Sequence, residues 1–188
     1  MSKPLRPATA KDVPLVHAQL KAALVETFPH LPQFQHDQER RFSPDYLQAL
    51  IKANPSYVFI LEIAGKQAGF IISGPEQGVI VHYWAYIDPA NRKGGLASAS
   101  LKQFVEHWEN GCFHKASAYT TPKNRVAQLL LKKNGFSLTA SLEKQIFGQD
   151  FLLFEHPLNK VAAGYEEVPA LRLGQIIKQR FLARLRKT

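Results

Sequence analysis

The residues best suited to chemistry lie in one run, Ile87-Asp88-Pro89-Ala90-Asn91-Arg92-Lys93-Gly94-Gly95-Leu96-Ala97. An apolar, β-branched and aromatic stretch from Val79 to Ile87 leads into it and reads as a buried strand. Ala97, Leu101, Phe104, Val105 and Trp108 follow at the spacing of one helical face. A strand, a basic glycine turn and a helix in that order predict a seat for an anion. The first N–H groups of the helix have no carbonyl partner, and the positive end of the helix dipole lies among them. Gly94 and Gly95 let a ligand approach the backbone closely, and Arg92 and Lys93 add charge. The chemistry suited to such a seat is phosphate binding. Neither common nucleotide pattern is present, since the chain has no G-x-x-x-x-G-K-[ST] and no G-x-G-x-x-G with an acid about 20 residues on.

The run Arg92-Lys93-Gly94-Gly95-Leu96-Ala97 resembles the [RQ]-x-x-G-x-[GA] pyrophosphate loop of the GNAT N-acetyltransferase superfamily, with its Ile-x-Pro lead-in at Ile87 and Pro89. Downstream, Asn124-Arg125-Val126-Ala127-Gln128-Leu129-Leu130-Leu131-Lys132-Lys133-Asn134-Gly135-Phe136 resembles the family's N-x-x-A-x-x-[LF]-Y-x-K-x-G-F helix. Two motifs in the right order and spacing are far more specific than either alone. The resemblance covers residues 3 to 155. It implies an α+β fold, a mostly antiparallel, splayed central sheet of about seven strands flanked by helices. It also implies acetyl-CoA as co-substrate and a primary amine, of a small molecule or a peptide, as acceptor.

The resemblance further implies roles for individual residues. The pyrophosphate would lie on the backbone of Arg92, Lys93, Gly94, Gly95, Leu96 and Ala97, with Ser98 adding a hydroxyl. The pantetheine arm would lie between the strands ending at Ile87 and near Thr120. The N–H of Ile87, or of Tyr86 beside it, would polarise the thioester carbonyl. Asn124 matches a residue that contacts the cofactor arm. It is an equally good N-cap for the following helix, and both roles are compatible.

An acceptor amine with a pKa near the ~10.4 of lysine arrives protonated and must lose that proton before it attacks. Many family members use a carboxylate on the strand before the loop, and none lies between Val79 and Ile87. His82 is the base of suitable intrinsic pKa there, alongside Tyr83 and Tyr86. Alternation along a strand predicts that His82, Trp84 and Tyr86 share one face. A structural histidine is the competing reading of His82. The family tyrosine that protonates the leaving thiolate falls here on Leu131, which carries no proton. Tyr119 is the nearest substitute, with ordinary strand packing as its alternative. The catalytic candidates are therefore Tyr119, His82 and Tyr86, and no metal site is predicted.

Around the acceptor channel, Tyr83, Trp84, Tyr86 and Tyr119 offer aromatic rings that hold a cationic amine by cation–π attraction. The net charge is +9, so a basic peptide is repelled and a small amine or a neutral-to-acidic peptide is favoured. Six of those cations, with no acid, lie in residues 171–188. The rest of the chain, with 18 basic and 15 acidic residues, carries +3.

The positioning elements follow in order. A first strand covers residues 4 to 8, and Thr9 with Asp12 forms a capping box for a helix with Val13, Val16, Leu20, Ala23 and Leu24 on its apolar face. Residues 30–42 have no period and read as a loop, either solvated or bordering the acceptor with Phe28, Phe34 and His36. Ser43-Pro44-Asp45 starts a helix that runs to Ala53. Strands at 57–63 and 68–73 form a hairpin, and Gly74 to Gly78 turn into the strand before the loop. A helix at 95–109, a strand at 115–121, a helix at 124–133 and two strands at 136–142 and 147–155 complete the domain.

The expected organisation is a GNAT-like domain at 1–156, a linker at 157–170 and a basic amphipathic helix at 171–188, which docks on the body or on a second copy as a homodimer. One cysteine, Cys112, excludes an internal disulfide and fits a reducing cytoplasm. No apolar run approaches the roughly 18 residues of a membrane span, and the first residues lack a signal-peptide core. Two other readings stand beside the enzyme. One is a non-catalytic acyl-CoA-binding sensor or scaffold. The other is an acetyltransferase that docks on RNA or the ribosome through its basic tail.

Overall fold

A series of Val-, Ile- and Phe-rich segments supplies the strands: Leu5–Pro7 (β1), Val58–Ile63 (β2), Lys66–Glu76 (β3), Val79–Ile87 (β4), Lys115–Thr120 (β5), Ser137–Ile146 (β6) and Gln149–Pro157 (β7). They form one seven-stranded sheet in the order β1-β2-β3-β4-β5-β7-β6. The computed structural model describes residues 4–92 and 94–167; Lys93, the end of the expected linker and the expected helix at 171–188 lie outside the described residues. Every pairing is antiparallel except β4 with β5. This is the mixed, mostly antiparallel α+β sheet that the resemblance implied.

The hairpins turn on two-residue loops whose residues both have positive φ: Ala64-Gly65, Gln77-Gly78 and Phe147-Gly148. That geometry matches the right-handed twist of the flanking strands. β3 accordingly runs on through Glu76, and the expected five-residue turn shrinks to Gln77-Gly78.

The helices are Val13–Thr27 (α1), Pro32–Arg41 (α2), Pro44–Ala53 (α3), Leu96–Trp108 (α4) and Arg125–Lys133 (α5). α2 replaces the expected loop. Its sequence is too polar to show a period, but Pro32 stands in its first turn and Phe34 is its one buried residue. Gln35 Nε2 also donates to the Phe28 carbonyl at 2.7 Å, tying α2 to the end of α1. A helix this polar forms because tertiary contacts hold it.

The central strands β2 and β3 are buried on both faces. On one face, Phe59 of β2 meets Phe104 and His107 of α4, and Trp108 lies against Tyr57 and Phe113. Phe70, Ile60 and Val58 alternate with these residues and are fully buried on the opposite face. Residues 158–167 fold back along the sheet end. Leu158 N–H donates to the His114 carbonyl, Val161 and Ala162 N–H to that of Gly111, and the Tyr57 hydroxyl to the Glu166 carboxylate.

At the start of α1, the Asp12 carboxylate accepts from Thr9 N–H at 2.7 Å and from two Arg6 nitrogens at 2.9 and 2.8 Å. Arg6 is the main reason that the Asp12 carboxyl sits well below its usual range. A depressed folded value means that the contribution is complete above the unfolded value, ~3.9, and lost as pH falls below it. Asp12→Asn is therefore expected to cost about 1 kcal/mol at pH 7. In urea unfolding at pH 7 and pH 3, the gap between parent and variant should narrow at the lower pH.

Candidate active site

The site begins where a pairing stops. β4 and β5 run in register only from Val79–Lys115 to His82–Ala118; β4 then continues to Ile87 and β5 to Thr120 without each other. The parting opens a cleft of about 660 Å³ through the sheet. His82, Tyr86, Ile87, Arg92, Ala97, Tyr119 and Asn124 all line it. Residues scattered over 43 positions of sequence thus share one cavity.

The end of β4 is held firmly. Asp88 N–H donates to the Ala68 carbonyl at 2.9 Å, and Gln19 Nε2 of α1 reaches both Asp88 carboxylate oxygens at 3.1 Å. Gln67 Nε2 in turn donates to Gln19 Oε1 at 2.8 Å. Because the Asp88 N–H points to β3, alternation directs the Ile87 N–H the other way, toward the cleft. Gly69 of β3 makes this placement possible: a Cβ there would lie 2.1 Å from the Tyr86 carbonyl oxygen. Gln19 and Gly69 escaped the sequence reading. A glycine inside an otherwise apolar strand was the available signal for the second.

Across the turn, Gly94 and Gly95 have φ of 90° and 79°, and nothing would meet a Cβ at either. Gly95 is the N-cap of α4 and brings no side chain to it. The first α4 N–H spent on a turn carbonyl is that of Ala99, which donates to Gly95. Those of Leu96, Ala97 and Ser98 precede it, the arrangement an anionic group requires. Ser98 Oγ accepts from Asn134 Nδ2 at 3.3 Å, which ties α4 to α5. Asn124 caps α5, its Oδ1 accepting from Ala127 N–H at 3.1 Å.

Arg92 is already engaged. Its guanidinium donates to both Glu26 oxygens at 2.5 and 2.7 Å, and its Nε donates to the Ile87 carbonyl at 2.9 Å. The pair holds the Glu26 carboxyl below its ordinary value. Glu26, from the end of α1, is a cleft residue that nothing in the sequence announced.

The shared face expected for His82, Trp84 and Tyr86 does not form. Ile72 pairs with Trp84 but Ser73 pairs with His82, so Tyr83 is an extra residue in β4. Such a bulge reverses the facing of everything beyond it. His82 points to α4, edge-on to Phe104 at 5.2 Å, while Trp84 meets Phe28 and Phe34 of the opposite layer. Burial pushes the His82 imidazole down to about 4, so it is neutral at pH 7. Tyr86 stacks on Phe70, with the Arg92 guanidinium 5.5 Å from its ring centre. Tyr119 is 44% exposed and opens onto the cleft, whereas Leu131 is buried in the core at 5%.

Opposite the glycine turn, Phe28, Phe34, Gln38, Trp84 and Phe151 line the other end of the cleft. Of the three residues that the sequence offered as bordering the acceptor, with a solvated loop as the alternative, Phe28 and Phe34 line the cleft. His36 lies exposed on α2, outside the cleft lining. Gln38, Phe151 and Phe147 were missed, because α2 and the β6–β7 hairpin reach this place only by folding.

The Acetyltransferase (GNAT) domain family matches residues 4–137, and the chain belongs to that family. The donor on which the family draws is acetyl-CoA. The chain's fold is similar to that of yncA from Salmonella typhimurium, solved with acetyl-CoA, at TM-score 0.68 and 20% identity over 85% of this chain and 95% of that one. The paia N-acetyltransferase of Thermoplasma acidophilum, solved with coenzyme A, gives 0.67 and 16% over 84% and 99%. RimL, a ribosomal L7/L12 α-N-protein acetyltransferase solved with coenzyme A, gives 0.64 and 17% over 85% and 97%. No curated protein matches in sequence. No helix among the described residues is long and apolar enough to cross a membrane.

Two substitutions test this geometry. Gly95→Val forces a β-branched residue into left-handed backbone at the helix cap; calorimetry should show acetyl-CoA affinity falling at least about tenfold, with stability changed by about 1–3 kcal/mol. Gly69→Ala should destabilise by about 1–3 kcal/mol in urea unfolding, since the new methyl group displaces the β4 backbone.

Proposed function

We propose that the protein moves an acetyl group from acetyl-CoA to an amine of a small molecule or a neutral-to-acidic peptide. The observation that carries this reading is the cleft itself. It joins an uncapped helix N-terminus on one side of the sheet to an aromatic chamber on the other, through the gap between β4 and β5. The α4 N–H groups of Leu96, Ala97 and Ser98 suit a pyrophosphate, and the free edge of β4 suits an extended amide-bearing arm. Acetyl-CoA supplies an activated thioester carbonyl. The Ile87 N–H, turned away from β3, is the donor best placed to polarise that carbonyl as charge develops on its oxygen. Tyr119, solvent-accessible on β5, is the hydroxyl we assign to protonating the departing sulfur, since Leu131 offers none. His82 lies on the α4 face and is held neutral by burial, so we assign it to packing the cleft wall.

The test is acetyl-CoA-dependent thiol release over a panel of amines, with amide product identified by mass. Turnover is expected, and Tyr119→Phe should lower kcat by about 10²-fold with little change in acetyl-CoA affinity. Tight coenzyme A binding with no turnover of any amine would instead favour a non-catalytic acyl-CoA-binding module. The buried leucine at position 131 is the observation behind that second reading.

A further inference from the structure

The chamber opposite the glycine turn has a composition that narrows the acceptor. Phe28 is its centre, with ring centroids 4.4 Å from Phe34, 6.3 Å from Trp84 and 6.3 Å from Phe151. Phe147, at the tip of the β6–β7 hairpin, closes on Phe34 at 6.1 Å. The polar end of Trp84 is spent, because its Nε1 donates to Gln38 Oε1 at 3.1 Å. What remains turned to the chamber is flat apolar surface.

The charges around the cleft are also spent. Among the described residues, Glu26, Arg41 and Arg92 are the charged groups that line it. Arg92 is paired with Glu26, and Arg41 with Glu76 at 3.0 Å. Tyr83 donates its hydroxyl to the same Glu76 carboxylate at 2.7 Å. Two of the four rings expected to attract a cationic amine already face the chain's own cations: Arg41 lies 4.7 Å from the Tyr83 centroid and Arg92 5.5 Å from that of Tyr86. An incoming ammonium therefore meets two guanidinium groups and no free carboxylate. Burial makes His82 a weak base, at about 4, and packs it against Phe104, Glu26 is held by Arg92, and the other titratable groups among the described lining residues are the phenols of Tyr83, Tyr86 and Tyr119. Among the described residues, none of these groups is both free and basic enough to take a proton from an alkylammonium, of which about one molecule in 10³ is neutral at pH 7.

We propose that the acceptor is an uncharged aromatic amine, of the arylamine class, whose ring seats against Phe28, Phe34, Trp84 and Phe151. This rests on the reading of the cleft as an acetyl-transfer channel. An arylamine enters neutral, so no base has to prepare it. The nitrogen lone pair forms the C–N bond and the C–S bond breaks with its electron pair going to sulfur. The nitrogen gives up one proton and the sulfur gains one, so no further reactant is needed. Ring burial among four aromatic side chains supplies the binding energy.

The experiment compares an aniline-class amine, an arylethylamine and an alkyl diamine as acceptors for the full chain at pH 7 and pH 9. The aniline-class amine should exceed the diamine in kcat/KM at pH 7 by at least about tenfold. Its rate should change little between the two pH values, while the arylethylamine should gain about tenfold per unit as its neutral fraction rises. Phe34→Ala and Trp84→Ala should each raise KM for the aniline-class amine about tenfold and leave acetyl-CoA affinity unchanged. Preference for the diamine or for a lysine peptide would overturn the proposal while leaving acetyl transfer intact. If no amine turns over, the aniline-class amine is titrated calorimetrically into the protein loaded with coenzyme A, beside the diamine. Selective uptake of the aromatic amine supports the seat even though the transfer reading has failed, and absence of uptake overturns it.

Discussion

The separation of β4 from β5 after four paired residues is the constraint on which the site depends. Two parallel strands cannot be joined by a tight turn, so the chain must cross over the sheet between them. That crossover is α4, and its N-terminus is left at the mouth of the gap. The same separation leaves the second half of β4 with a hydrogen-bonding edge that no strand among the described residues covers. One topological event therefore supplies a hole through the sheet, a positively polarised helix end beside it and unpaired backbone along its wall.

Keeping that backbone in place requires several anchors from distant parts of the chain. Gln19, itself held by Gln67, binds Asp88, Arg92 ties the β4 end to Glu26, and Gly69 allows β3 to lie against Tyr86 without a Cβ between them. The bulge at Tyr83 then sets which side chains face which half of the cavity. Without it, His82 and Trp84 would share a face. With it, the imidazole packs on α4 and the indole joins the aromatic chamber.

The electrostatics of the site are carried by backbone dipoles more than by side-chain charges. Each described charged residue of the lining is matched by a neighbour of opposite sign, which removes most of its long-range field. The α4 dipole has no such partner among the described residues and remains as a directed source of positive potential. A positively polarised helix end and an aromatic, charge-paired lining thus meet in one cavity, even in a chain of net charge +9.

Much of this was legible in the linear sequence because local rules govern it. The glycine turn, the amphipathic face of α4, the caps at Thr9, Ser43 and Asn124, and the hairpin glycines all act through residues within a few positions of one another. Together they were enough to reach the family, the strand-turn-helix unit and most of the element boundaries. Three things waited for the tertiary structure, each because its cause is non-local. α2 is helical because Phe34 is buried against the end of α1, and its own polar sequence carries no period. The facing of His82 was decided by an extra residue in β4, which strict alternation cannot detect. The aromatic chamber is assembled from α1, α2, β4 and the β6–β7 hairpin, more than 100 residues apart in sequence. Local patterning determined which elements form and where the glycine turn meets the start of α4; the pairing of strands and the meeting of layers decided which side chains line the cleft beside it.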